Sequence, residues 1–498
     1  MKSTPADRDR TLRGCAVASL VAVATVACGG GRVELSRAPS GAAAAASEPS
    51  RPPHRIAYEA ELSRSIEHID VRACFASEPP SRLRPGREAA RPLLVGATRR
   101  EGDRWEPLGT DAIGIVLADT DEGDCVGYRI DLGAVRGRGG APLVARVGAD
   151  VFTTFGAWLW GPDDDAPVEA TLRVVLPDGY RTVFPFERRG DVFVLPDSTF
   201  RFVGFGAFGR FEADRVPVPG GALDVAWLDP GVPMREGRDA LRGWLARAAR
   251  ATASLYGRFP VERAAVTVVP IPGVGREGFG MVGRGGGASV FLLVDTASTI
   301  ADLDGNWVTV HEMSHLAAPY VRRSDAWLGE GLATYYQEIL RARGGLQTPL
   351  EAWRNLEDGF RRGARSGSGR TLEAESAAVF RTFEFVRVYW AGAAIAFLVD
   401  VELRRTSGGR MSLDTAMAGL RACCSEARQW TAHELIAAMD RATGGRVVSR
   451  TARRWLRSAE FPDVSGALRA VGVRSDGEGV ALEPNALRDA IVSAPPGM

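Results

Sequence analysis

The sequence is almost without lysine: Lys2 is its only one, and arginine supplies the rest of its positive charge. A mechanism that needs a lysine in the folded body, such as Schiff-base catalysis, is therefore excluded. Charge of one sign is not in excess either, because 62 basic and 61 acidic residues leave a formal net charge of +1. Without a basic field there is no electrostatic basis for nucleic-acid binding. The 45% hydrophobic and 25% charged residues over 498 positions are typical of a globular protein of about three domains.

Long hydrophobic runs are also lacking. The apolar run over residues 15–27 follows a basic start and is too short for a spanning helix, but it suits a signal-peptide core. Its end, Thr25-Val26-Ala27-Cys28-Gly29, resembles the lipobox of bacterial lipoproteins, which predicts a signal peptide over 1–28 and a lipid anchor on Cys28. A plain secretory signal, cut near residues 22–24, is the alternative. The predicted location is the bacterial cell envelope, in the outer membrane or periplasm, or outside the cell under the alternative.

Cysteine is scarce, with six in the chain and four beyond the predicted signal. None of the four has the spacing of a zinc knuckle, and we interpret them as structural. Outside the cytosol a Cys74–Cys125 disulfide is plausible. Cys423 and Cys424 are adjacent, and a bridge between neighbours would be strained. The sequence leaves both pairings open.

The composition along the chain divides it into segments. Residues 29–54 are rich in Gly, Ala, Ser and Pro, which predicts a disordered tether. Short β-like runs follow, and near Arg238 the pattern changes to helices and buried strands. This order predicts an α+β protein with a β-sandwich-like N-terminal domain and a catalytic domain with a helical C-terminal part. The predicted bounds are 55–235 for the β domain, 236–460 for the catalytic domain (an α/β lobe over 236–345 and a helical lobe over 346–460), and 461–498 for a C-terminal tail.

Two of only five histidines lie in His311-Glu312-Met313-Ser314-His315. Residues four apart share a face of a helix, so both imidazoles can reach one zinc ion. Glu312 is displaced around the helix, close enough to take a proton from a water molecule on the metal. We therefore predict His311 and His315 as ligands of one Zn²⁺ and Glu312 as the general base.

Glu330, in the segment Trp327-Leu328-Gly329-Glu330-Gly331, offers a third ligand. The interval after His315 is long enough for a turn and a returning helix. Two histidines and a carboxylate leave the fourth zinc position open for water, as hydrolytic zinc sites require. Thr334 lies one turn after Glu330 and is a candidate to hydrogen-bond to a ligand histidine and orient it. An ordinary helix position without such a role explains Thr334 equally well.

Together these segments resemble the gluzincin metallopeptidases, which include aminopeptidase N, and most closely the glycyl aminopeptidase family. The resemblance rests on the zinc segments around His311 and Glu330 and on Tyr389-Trp390-Ala391-Gly392-Ala393, and it spans about residues 56–460. It implies a thermolysin-like catalytic domain, a zinc cofactor and hydrolysis of peptide bonds. It also implies that Tyr389 is catalytic, with a hydroxyl that stabilises the tetrahedral intermediate.

The sequence departs from the family pattern at two positions. Ala391 replaces the family lysine, and Val282 stands in the glycine-rich segment 278–283 where aminopeptidases offer a glutamate to the substrate's free amino group. Exopeptidase specificity is therefore in doubt. The tail 461–498 is also too short for the PDZ-like domain that the family often appends.

The sequence thus predicts an exported zinc metallopeptidase that acts on a peptide or protein, binds no nucleic acid and meets a membrane only through the anchor at Cys28. Two alternatives stay open. One is a non-catalytic binding or scaffold lipoprotein that retains the peptidase fold, and the other is a gluzincin hydrolase of non-peptide substrates. The sequence does not indicate an oligomeric state.

Overall fold

A computed structural model of the chain describes residues 51–101, 104–133, 144–425, 428–475 and 479–493. The predicted signal peptide with Cys28, and most of the predicted tether, lie outside the described residues. No helix within the described ranges combines the length and the apolar character that crossing a membrane requires.

The N-terminal region is built from short strands, as the turn-rich sequence predicts. In the first strand, Ile56, Tyr58, Ala60 and Leu62 are buried and alternate with less buried residues, so one face of the sheet covers a core. The strands of this region are β1 His54–Leu62, β2 His68–Phe75, β3 Arg82–Arg84, β4 Leu94–Glu101, β5 Arg104–Pro107, β6 Ile115–Val116, β7 Cys125–Asp131, β8 Val144–Val147, β9 Asp150–Thr154, β10 Gly161–Pro162, β11 Val168–Val175, β12 Arg181–Val183, β13 Glu187–Arg189, β14 Val192–Leu195 and β15 Phe205–Gly209.

These strands form one large sheet and two small ones. The large sheet has eight strands in the order β13-β14-β11-β1-β2-β7-β4-β5, and the small sheets have the orders β10-β3-β6 and β12-β15-β9-β8. Cys74 and Cys125 are direct neighbours across β2 and β7 and form a disulfide. The bridge therefore joins two central strands of the large sheet.

A second, mixed sheet belongs to the predicted catalytic domain. Its strands are β16 Glu212–Val218, β17 Gly221–Trp227, β18 Arg263–Ile271, β19 Phe279–Gly283 and β20 Ala288–Asp295, in the order β16-β17-β18-β20-β19. The strands β17, β18 and β20 are parallel, and β19 is an antiparallel edge strand. This sheet begins at Glu212, so the predicted domain boundary at residue 235 is wrong. The hairpin β16–β17 has the same local sequence pattern as the strands before it. Only its pairing with β18 shows that it belongs to this second sheet.

The rest of the chain is mainly helical. Gly408 ends one long helix in the left-handed conformation, and the side chains of Ser412 and Thr431 cap the N-termini of two others. The helices are α1 Ser198–Arg201, α2 Arg238–Ala253, α3 Ile300–Gly305, α4 Val308–His315, α5 Ala326–Arg343, α6 Pro349–Arg365, α7 Leu372–Thr382, α8 Phe385–Ser407, α9 Leu413–Cys423, α10 Ala432–Thr443, α11 Val447–Leu456, α12 Ser465–Ala470 and α13 Ala486–Val492.

The described residues of the predicted C-terminal tail are folded. The helices α12 and α13 and the hairpin of β21 (Val473–Ser475) and β22 (Val480–Leu482) place Val471 and Ile491 in the core of the helical lobe. Arg343 of α5 donates to the carbonyl of Ile491 at 2.8 Å. Cys423 and Cys424, whose pairing the sequence leaves open, form a disulfide. Helix α9 ends at Cys423, and Cys424 has extended backbone.

Candidate metal centre

The three predicted ligands lie together between α4 and α5. Glu330 Oε2 is 3.4 Å from His311 Nε2 and 3.3 Å from His315 Nε2. The donor atoms of all three residues lie within 4.8 Å of one another. His311 is buried, and His315 and Glu330 are each partly open to solvent.

These distances fit a zinc ion better than a direct ion pair. Two donors bound at about 2.0–2.1 Å to a tetrahedral zinc lie about 3.3–3.4 Å apart, whereas charged N–H···O bonds are about 2.7–2.9 Å long. The donor set of two imidazoles and one carboxylate is also the set that zinc accepts while it keeps one position free. The residues therefore fit the zinc that the sequence predicts.

The short helix α4 needs support at both ends, since Val308, Thr309 and Val310 are poor helix formers. At its start, Asn306 accepts from the Val308 N–H at 2.7 Å and also donates to the loop before β19. At its end, Arg284 donates to the carbonyls of His315 and Ala318. A guanidinium at a helix C-terminus donates hydrogen bonds to carbonyls that have no partner within the helix. Its positive charge also interacts favourably with the negative end of the helix dipole.

Glycine allows α5 and α8 to cross closely beside the ligands. A Cβ at Gly331 would lie 2.5 Å from Gly392 Cα, and one at Gly392 would lie 1.9 Å from the Trp327 carbonyl oxygen. No residue with a side chain fits at this crossing. Because Gly331 follows Glu330 and Gly392 lies one turn after Tyr389, the crossing brings the third ligand and the predicted catalytic tyrosine to one site.

Glu312 is packed between the ligands and the edge strand β19. It is 8% exposed, and a Cβ at Gly280 would lie 2.4 Å from its Cγ, so only glycine fits opposite it. Burial, reinforced by the charge of Glu330 and opposed by His311, raises the pKa of Glu312 from 4.5 to about 7. The carboxyl is thus able to exchange a proton near neutral pH.

The two carboxylates of the site are shifted in opposite directions. Burial alone raises the pKa of Glu330, but the imidazoles of His315 and His311 beside it hold that pKa well below its usual range. Glu330 is therefore ionised, as a metal ligand must be. Opposed pKa shifts in one pair of acids indicate different roles, here ligand and proton acceptor.

The residue of α5 that hydrogen-bonds to the second ring nitrogen of a ligand histidine is Gln337 and not Thr334. His311 Nδ1 lies 2.8 Å from Gln337 Oε1, and Gln337 in turn donates to Glu338 at 2.9 Å. Thr334 Oγ1 is buried without a hydrogen-bond partner among the described residues. The expected role for Thr334 is therefore wrong: both residues lie on the ligand face of α5, but only the longer amide side chain reaches the imidazole. Helical spacing places Gln337 on the same face of α5 as Glu330, but it does not select Gln337 over Thr334.

Gln337 is itself held by a buried polar cluster. Glu338 accepts from Arg341 at 3.1 Å, from Gln347 at 2.9 Å and from Asn355 at 3.0 Å. Because the Gln337 amide N–H group is committed to Glu338, its oxygen faces His311. An N–H on Nδ1 then leaves Nε2 free for a metal.

Tyr389 and Val282 also lie near the centre. The Tyr389 ring is stacked on the His311 ring with centroids 6.4 Å apart. Val282 is two residues after Gly280 in β19, hence on the same strand face, and packs against the core that contains the zinc helix. Ala391 is fully buried in α8.

We predict that Gln337→Leu weakens zinc binding about 10–100-fold, the usual effect of removing a partner of a ligand histidine. Competition with a chelator of known affinity measures this directly. Thr334→Val is the matched control and is expected to leave zinc affinity unchanged, since the Thr334 hydroxyl has no hydrogen-bond partner in the described part of the chain. Equal losses in both variants would contradict the assignment.

A second prediction concerns the zinc-free protein. The pKa of Glu312 is higher in the folded chain (about 7) than its ordinary value of 4.5, so its contribution to stability is complete below about pH 4.5 and is lost as the pH rises to about 7. Glu312→Gln removes this dependence. In the presence of chelator the variant is expected to match the wild type near pH 4.5 and to exceed it by about 3 kcal/mol above pH 7. Denaturant unfolding at several pH values tests this, with the exposed Glu106→Gln as control.

The fold is similar to that of solved peptidase structures. An aminopeptidase N family protein from Idiomarina loihiensis has a TM-score of 0.68 at 15% identity, over 84% of this chain and 78% of that one. An M1 zinc metallopeptidase from Deinococcus radiodurans has a TM-score of 0.53 at 15% identity, over 83% of this chain and 96% of that one. A mutant of the Deinococcus enzyme bound to a Tyr-Ser-Ala substrate has a TM-score of 0.52 at 15% identity, over 82% and 96%. No protein-family model and no curated protein matches the sequence. The chain therefore has the α+β fold of the aminopeptidase N-like zinc metallopeptidases, as the sequence resemblance predicts.

Proposed function

We propose that the protein is a zinc-dependent peptidase. The observation that carries this proposal is the convergence of His311, His315 and Glu330 at metal-binding distances beside the buried Glu312. The similarity in fold to a metallopeptidase solved with a Tyr-Ser-Ala substrate supports peptides as the substrate class.

The site divides the work of hydrolysis between its residues. His311, His315 and Glu330 would hold the zinc, and the bound ion would polarise a carbonyl oxygen and lower the pKa of a water molecule. Glu312 accepts a proton from the attacking water and passes it to the leaving amine of the cleaved peptide bond.

Tyr389 supplies the hydroxyl that stabilises the oxyanion. This role is supported by the position of Tyr389 next to His311, near the crossing of α5 and α8. Tyr389→Phe is expected to lower kcat about 10²–10³-fold, the usual cost of one oxyanion donor, with zinc content unchanged. Steady-state kinetics with metal analysis test this, and Tyr180→Phe in the N-terminal region is the control. If kcat were unchanged in Tyr389→Phe, the Tyr389 hydroxyl would not stabilise the oxyanion.

A peptide-mixture digest, analysed by mass spectrometry, tests the function as a whole. Cleavage is expected with the zinc-loaded protein, is lost with chelator and returns when zinc is added back. A protein that binds zinc but cuts no peptide would be a scaffold or a hydrolase of other substrates. The cut positions also decide between exo- and endopeptidase action.

Export and a lipid anchor at Cys28 are the location that we propose. The lipobox-like segment supports it, and so does the presence of two disulfides, which persist outside the cytosol. Fractionation of cells that express the full chain tests it: wild type is expected with the membranes and Cys28→Ala away from them.

A further inference from the structure

Large apolar side chains are seldom exposed in the described part of the chain, and their positions are not random. Four of the seven that are exposed lie in the N-terminal region. The other three are Trp307, Phe383 and Val386, which are 37%, 52% and 45% exposed. All three lie in segments that flank the metal centre: Trp307 directly precedes α4, and Phe383 and Val386 border the start of α8.

Aromatic rings connect these positions to the catalytic residues. The Trp307 ring contacts the His311 ring edge-on, with centroids 5.3 Å apart. On the other side, Tyr389 contacts Phe385 at 5.7 Å, and Phe385 contacts Phe383 at 5.9 Å. We call Trp307, Phe383, Phe385 and Tyr389 the aromatic rim. It runs without interruption from the ligand His311 to solvent.

The backbone of Phe383 gives a second, independent indication. It ends α7 in the left-handed conformation, with φ 62°. Glycine takes this helix-ending conformation without strain, while a bulky residue there is unusual. A strained residue that exposes a ring beside an active site points to a function for the ring. Folding alone would favour glycine at this position.

We propose that the aromatic rim is the subsite for a large apolar, preferably aromatic, side chain of the substrate, next to the bond that is cut. This rests on the proposed peptidase function. The rim side chains carry no formal charge to pair with a charged side chain, whereas an apolar side chain buries surface on both partners. Trp307 and Tyr389, the two rim rings next to His311, place one end of this subsite beside the metal centre.

The test uses pairs of peptides that differ only in Phe or Ala beside the cleaved bond. Wild type is expected to favour the Phe peptide in kcat/KM by about 10–200-fold. Phe383→Gly removes a ring without asking the backbone to change, so the fold is retained and thermal unfolding is expected at the same or a higher temperature. In Phe383→Gly and Trp307→Ala the preference should fall about tenfold, while Trp105→Ala, exposed in β5, should keep it.

Binding of the same peptides to the zinc-loaded Glu312→Gln protein, measured by calorimetry, separates this inference from the proposed function. Tighter binding of the Phe peptide that is lost in the double variant with Phe383→Gly supports the subsite even if wild type proves to cut no peptide. Equal binding of both peptides overturns the subsite even if wild type is an active peptidase. An unchanged Phe preference in both rim variants overturns it as well.

Discussion

Glu312→Gln is expected to lower kcat for peptide hydrolysis about 10²–10⁴-fold, the range that one general base contributes. The amide has nearly the size and shape of the carboxylate but cannot accept the proton. Because Glu312 is displaced from the face of α4 that carries the two histidines, zinc should remain bound at one ion per chain. The measurement is steady-state turnover of a cleaved peptide together with metal analysis of the same sample.

The control for this variant is Glu106→Gln, which alters an exposed carboxylate in β5 of the N-terminal region and is expected to leave kcat and zinc content unchanged. Full activity in Glu312→Gln would refute the base assignment. Loss of zinc from the same variant would show that Glu312 serves the metal and not the proton.

Glu330→Gln is expected to act mainly on zinc binding, whereas Glu312→Gln acts mainly on the rate of hydrolysis. The neutral amide removes the charge that two imidazoles stabilise, and we expect zinc affinity to fall by more than about 100-fold, beyond the effect of an outer partner. Activity should fall with zinc occupancy and recover in part at high free zinc. Chelator competition and a zinc titration of the rate measure the two effects separately.

The two substitutions exchange one atom in the same residue type, so their contrast is informative. Glu312→Gln should keep metal and lose rate at every zinc concentration, whereas Glu330→Gln should lose metal first. If Glu330→Gln bound zinc as tightly as wild type, the Glu330 carboxylate would not be a ligand, and the predicted set of three ligands would be wrong.

Helical periodicity and motif spacing were sufficient to predict the ligand set. His311 and His315 lie four apart, and the interval to Glu330 allows a returning helix, so local geometry already limits where these side chains point. The same reasoning failed for Thr334 and Gln337, since both lie on the correct face of α5 and their difference is one of reach across a packed interface. It also failed at the β16–β17 hairpin, because strand pairing over long range determines sheet membership.

The amino-acid sequence by itself determined the chemistry: which residues can bind zinc, which can accept a proton, and the order of a β-rich region before an α/β and helical region. Tertiary structure alone decided the environment of those residues. Burial against Gly280 raises the pKa of Glu312, the Gly331–Gly392 crossing brings Glu330 and Tyr389 together, and the aromatic rim forms from segments far apart in the chain. The physical reason is that desolvation and close contact depend on atoms from distant segments, and no local pattern records where those atoms come to lie.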